Sequence, residues 1–184
     1  ASYLESQDML RMSGIERDVY LYAQPKINIS DIDIKASLNE MFIDGQLKTG
    51  INILNHSSSL VSRSVEITLS DKEEVRFSSK KTITIQAGDT TSVDFSSLIE
   101  DVKPWSAEIP KLYDLQVALL DSANESNDQF LQKKVGFRNV EIKNNQLLVN
   151  GQAIYIRGVD RHETDPFNGH VVSRESMEKD IRLM

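Results

Sequence analysis

The chain reads as a mainly β protein: a two-sheet sandwich of about seven strands, followed by a β-hairpin and the start of a helix. Three observations predict this. Between residues 25 and 138, apolar side chains recur at every second position in short runs. Polar, turn-forming clusters separate the runs. After residue 139 the pattern changes to a hairpin signal and then to helical spacing.

The opening zone, residues 1–24, is too short to bury a core. Its alternating Val19, Tyr20, Leu21 and Tyr22 predict a strand or two without a domain around them. The sandwich, residues 25–138, begins with Ile27, Ile29, Ile32 and Ile34, a strand whose phase shifts around Ser30-Asp31. Leu47, Thr49, Ile51 and Ile53 alternate next. Val65, Ile67 and Leu69 follow, then Ile83 and Ile85, Val93 and Phe95, and Leu115, Val117 and Leu119; Phe130–Phe137 closes the set. Asp44-Gly45, Ser57–Ser59, Ala87–Asp89 and Ser122–Asp128 are the separating clusters. Such alternation buries one face of each sheet and wets the other. The absence of cysteine excludes an antibody-type sandwich but not the looser class. Trp105, between Pro104 and Pro110, is accounted for by core packing or a proline-bounded edge.

In residues 139–184, Val140–Lys143 and Leu147–Val149 flank Asn144-Asn145, and Asn150-Gly151 turns the chain into a strand expected over Ala153–Val159. Asn-Gly between apolar runs is the strongest short hairpin signal, because both residues tolerate the positive φ of a type I′ turn. After the polar loop Thr164–Val172, Ser173 is a good N-cap, and Met177, Ile181 and Met184 lie at i, i+4 and i+7.

A net charge of −7 argues against nucleic acid as a partner, since a phosphate backbone needs a basic footprint. No apolar run approaches the roughly 18 residues of a membrane helix, so no membrane partner is expected. The first ten residues have neither the basic nor the apolar region of a signal peptide. Without cysteine there are no disulfides, no thiolate catalysis and no Cys-ligated metals, and the compartment stays open.

Val-Gly-Phe-Arg at 135–138, the hairpin ending in Arg157-Gly158-Val159, and Arg161-His162-Glu163 together resemble the family-2 glycoside hydrolases, most closely the β-galactosidases among them. In that family the first motif closes an immunoglobulin-like domain and the last sits at the end of the first strand of a (β/α)8 barrel. Ser2–Val19, with Gln7-Asp8-Met9 and Arg11–Ile15, similarly resembles the end of the family's sugar-binding jelly-roll domain. The resemblance implies a bacterial enzyme of cytoplasm or periplasm that hydrolyses terminal β-galactosides with retention. It implies that residues 1–24 are the tail of the sugar-binding domain and 25–138 the immunoglobulin-like sandwich. Residues 139–184 would be the first strand, loop and helix of a barrel cut off inside its helix. A β-glucuronidase or β-mannosidase of the same family shares these features. Outside it, a non-catalytic carbohydrate-binding or adhesion sandwich would call for a cluster of exposed aromatics, whereas one tryptophan is present.

By resemblance, His162 matches a histidine that holds the galactosyl unit. Asp8 matches an aspartate that binds the sugar's hydroxymethyl end and, in some members, sodium. Arg157 and Arg161 are structural supports on this reading, Arg157 pointing inward from its strand toward carboxylates of later strands. Gly158 is expected at a bend or close backbone approach. Glu163, His162 and His170 do not make a metal site, because neighbours on an extended segment point to opposite faces. Asp160 stands where the family commonly has asparagine. Retaining hydrolysis needs two carboxylates about 5–5.5 Å apart. The resemblance places both downstream of Met184, so no catalytic residue is expected here and this stretch alone is expected to be inactive. Magnesium and sodium are cofactors implied for the whole enzyme, none for this stretch. The apolar residues of the two ends (Val19, Leu21, Ile154, Ile156, Ile181, Met184) are expected to find cover on the sandwich or between chains in a homo-oligomer.

Overall fold

The computed structural model describes residues 14, 15, 17–123 and 126–184. Where apolar residues alternate, strands form: β1 (Ile27–Leu38), β2 (Gly45–Asn55), β3 (Val61–Asp71), β4 (Glu74–Ile85), β5 (Thr90–Ile99), β6 (Tyr113–Asp121) and β7 (Asn127–Val135). They pair antiparallel into a three-stranded sheet, β1-β2-β5, and a four-stranded sheet, β4-β3-β6-β7. This is the two-sheet sandwich that the spacing predicts, and the immunoglobulin-like arrangement that the resemblance implies. The phase shift in β1 is a register slip against β2 between Ile29 and Asp31. It changes the inward set from Ile27 and Ile29 to Ile32 and Ile34.

The core draws Leu47, Ile51 and Ile53 from β2, Val65, Ile67 and Leu69 from β3, and Leu115, Val117 and Leu119 from β6, all buried. Full burial of one such side chain stabilises by about 1.5–3 kcal/mol. Thr49 stands in the β2 row, and its Oγ1 is buried without a partner among the described residues. Asn55, equally buried, is fully used. Its Nδ2 donates to the carbonyls of Ser59 (2.8 Å), Ile85 (3.2 Å) and Gln86 (3.0 Å), and its Oδ1 accepts from the Ser57 N–H (2.9 Å). One side chain thereby ties the end of β2 to the end of β4.

Contacts divide the chain into two units: Ala23–Tyr155, and a second that joins Ile156–Met184 to the described residues before Ala23. In the larger unit the sandwich is followed by a meander, β8 (Val140–Lys143), β9 (Gln146–Val149) and β10 (Gln152–Ala153), in the order β10-β9-β8. Both of its turns put two residues at positive φ: Asn144 (51°) and Asn145 (58°), then Asn150 (50°) and Gly151 (73°). Positive φ at both central positions is the type I′ signature.

The meander is fastened to the sandwich by side-chain amides. Asn139 Oδ1 accepts from the Leu38 N–H (2.8 Å) and its Nδ2 donates to the Leu38 carbonyl (3.0 Å), so the amide imitates one more residue of a neighbouring strand. Asn150 Oδ1 accepts from the Asn139 N–H (2.9 Å), and Asn150 Nδ2 donates to the Trp105 carbonyl (2.9 Å). Trp105 in turn donates its N–H to the Phe137 carbonyl (2.9 Å). The Arg138 guanidinium lies 4.7 Å above the Trp105 ring. Two glycines are required by close approach: a Cβ at Gly136 would come within 3.0 Å of Trp105, and one at Gly45 within 2.5 Å of Phe137. Phe137 itself meets Tyr113 edge to face, centroids 5.4 Å apart.

Two expectations fail here. The strand over Ala153–Val159 stops at Ala153: Ile154 still donates its N–H to the Leu147 carbonyl (3.0 Å), and then no element continues. A barrel strand needs neighbours to complete its ladder, and the described residues supply none. Val19–Tyr22 likewise form no strand. In the smaller unit α1 (Arg174–Leu183) starts where expected, Ser173 Oγ accepting from the Ser176 N–H at 3.2 Å. Glu175 is held below the ordinary carboxylate range by its own backbone N–H and by Ser173. None of the helix residues is buried, and Val19, Leu21, Ile156, Ile181 and Met184 are all exposed.

Candidate functional site

The candidate site is the segment Arg157–His170, which carries most of the residues that the sequence singles out. Arg157 is exposed and lies outside any strand, so the inward aim expected of it is not seen. Its side chain has no ion-pair partner among the described residues. Gly158 is not at a close approach either, since an added Cβ would meet nothing within 4 Å. The missing strand explains both: with no ladder there is no inward face.

Arg161 has a definite partner. Its Nε and Nη2 reach Asp180 Oδ2 at 2.8 and 2.7 Å, clipping the loop to α1. His162, the next residue, is exposed, and its carbonyl accepts from the Thr164 N–H (3.1 Å). The Glu163 carbonyl lies 3.0 Å from His170 Nδ1. A carbonyl can only accept, so His170 Nδ1 carries a proton in this contact. The Glu163 carboxylate faces Arg17 at 4.0 Å; both side chains are well exposed, a geometry worth little.

Beyond His162 the loop is tightened by a residue that the sequence reading passed over. Asp165 Oδ1 accepts from the N–H groups of Phe167 and Asn168 (2.9 Å each), and Asp165 and Gly169 exchange backbone bonds of 2.6 and 3.0 Å. The two backbone N–H groups hold the Asp165 carboxyl below the ordinary range. Asp-Pro followed two residues on by Asn-Gly (Asp165 to Gly169) is the turn signal that could have found it. Asp180 had no comparable signal, because its partner lies across the loop.

Asp8 lies outside the described residues. Among those described, no group of three or more His, Asp or Glu side chains is placed to hold a metal ion. The described carboxylates and imidazoles therefore do not by themselves assemble a magnesium or sodium site. Nor is any described helix long and apolar enough to cross a membrane. What the segment offers chemically is an accessible imidazole on a loop braced by Arg161 and by the Asp165 turn.

The model of the glycosyl hydrolases family 2 matches residues 27–138, and that of the family's TIM barrel domain matches residues 140–184. A beta-galactosidase of Priestia megaterium is 39% identical over 188 residues, covering 100% of this chain and 18% of its own length. One from Pseudoalteromonas haloplanktis is 40% identical over 185 residues, again with 100% and 18% coverage. Among solved structures, a Bacteroides uniformis beta-glucuronidase superposes with a TM-score of 0.84 at 21% identity, over 97% of this chain and 22% of that one. The chain thus spans about a fifth of the length of the proteins it matches.

Proposed function

Because the chain belongs to the glycosyl hydrolases family 2, we propose that it is part of a retaining β-galactosidase, in which it supplies the sandwich and the entry to the catalytic barrel. One observation supports the sugar: identity of 39–40% along the whole chain to beta-galactosidases. In this reading His162 holds the galactosyl unit, and Arg161, tied to Asp180, keeps the loop that bears it in place. Asp8 addresses the hydroxymethyl end of the sugar and a sodium ion. The nucleophile, the acid/base and any magnesium belong to residues of the longer protein outside this chain. The pair of carboxylates does the bond-breaking, so the 184 residues alone are inactive.

The reading of a binding or adhesion module loses its best feature, since the ring of the one tryptophan is covered by Arg138 and lies against Gly136. The test uses nitrophenyl β-galactoside, β-glucuronide and β-mannoside side by side. The native-length protein should release nitrophenol from the galactoside at least about tenfold faster, a difference of about 1.4 kcal/mol in transition-state binding; preference for another sugar would overturn the assignment. The isolated chain should release none from any of them.

A further inference from the structure

The meander turns its apolar face outward. Cross-strand partners share a face and successive residues change face. Val140 pairs with Val149 and Ile142 with Leu147, and Ile154 continues opposite Leu147 through its N–H. One face therefore carries Val140, Ile142, Leu147, Val149 and Ile154, with Gln152, the other partner of Val149, as its one polar member. On the other, Glu141, Lys143 and Leu148 line a cleft with Leu38, Glu40 and Phe42 of the β1–β2 corner. A small sheet resting on its own domain ordinarily buries its apolar side and wets the polar one. Here Ile142 is 81% exposed, Val140 55% and Ile154 42%. The amides of Asn139 and Asn150 keep the sheet from turning over. A fixed support presenting an apolar surface marks an interface.

Two observations choose the occupant. The TIM barrel domain of the family starts its match at residue 140, so the meander goes with the barrel by sequence although its contacts place it in the unit Ala23–Tyr155. The chain also spans only 18% of the Priestia relative, which on the reading above leaves most of a barrel to the longer protein. We propose that the Val140–Ile142–Leu147–Val149–Ile154 face is the seat on which the body of that barrel rests, the clamp to the sandwich setting its orientation. This rests on the chain being part of a longer family-2 hydrolase.

The test places one substitution in two lengths of protein. In the 184-residue chain Ile142→Asp should leave the thermal midpoint within about 1 °C, because the side chain is already in water there. In the native-length protein it should lower the midpoint by about 5 °C or more, because a carboxylate would be buried. Glu141→Ala, on the opposite face, should be small in both. Equal effects of Ile142→Asp in the two lengths overturn the proposal. If the longer variant does not fold, the milder Ile142→Thr decides: a graded loss confined to the longer protein supports the seat, and no loss refutes it. Galactoside hydrolysis measured in parallel separates the two readings. A native-length protein that cleaves β-galactosides yet is indifferent at Ile142 refutes the seat alone; length-dependent loss without galactosidase activity refutes the sugar alone.

Discussion

At the residue scale, Thr49 contributes a buried hydroxyl that gains nothing in return. Thr49→Val keeps the shape, removes the unpaired oxygen, and should stabilise by about 1 kcal/mol. Urea unfolding measures this, and a loss of stability would show that the hydroxyl has a partner. Asp165 makes the converse case. Its carboxyl is held below the ordinary range by the Phe167 and Asn168 N–H groups, so the folded pKa lies under the unfolded one. The turn's stabilisation is then present above the unfolded value, about 3.9, and is lost as pH falls through the folded value. Amide signals of Phe167 and Asn168 should therefore move together as pH is lowered below about 4, and Asp165→Asn should abolish that titration. The two features differ in how far the sequence alone shows them. Threonine in an apolar alternation looks like any strand residue, whereas the Asp165 turn was legible in principle, from Asp-Pro and Asn-Gly.

At the scale of elements, the sandwich strands were legible because burial there follows period two: β2 reads buried at Gly45, Leu47, Thr49, Ile51, Ile53 and Asn55. The first half of β4 was not, because as an edge strand it is largely wet and in Glu74–Lys80 the one alternating pair, Val75 and Phe77, gives way to serine and lysine. Ile154–Val159 misled in the other direction: apolar and β-branched residues suggest a strand, but a strand is a property of two segments. The amide clamp was illegible for a related reason, since Asn139 finds Leu38 across 101 residues. Asn150→Asp tests that clamp cleanly. Aspartate tolerates the positive φ and keeps the acceptor for Asn139, but sets an oxygen against the Trp105 carbonyl. Amides of β8 to β10 should exchange at least about tenfold faster, a loss of about 1.4 kcal/mol locally, with β3 and β6 unchanged. Unaltered exchange in the meander would mean that the turn alone holds it.

At the scale of the whole molecule, two units of unequal burial imply unequal protection. Hydrogen exchange should be slowest in β3 and β6, whose inward side chains are fully buried, and fast through α1, where none is. The isolated chain should also self-associate through the exposed apolar residues of its smaller unit, Ile156 and Ile181 among them; light scattering showing a strict monomer at high concentration would refute this. The coarse division of the chain was readable in the change of pattern near residue 139. The meander's allegiance to Ala23–Tyr155 was not, because it depends on bonds among residues 38, 105, 139 and 150. That network has a practical corollary for anyone wishing to excise the sandwich as a stand-alone scaffold. A cut after Arg138, where the strand pattern ends, would strip the Leu38 amide and carbonyl and the Trp105 carbonyl of their partners at one stroke. The transplantable piece runs on to Tyr155, carrying its short three-stranded appendix as a plug.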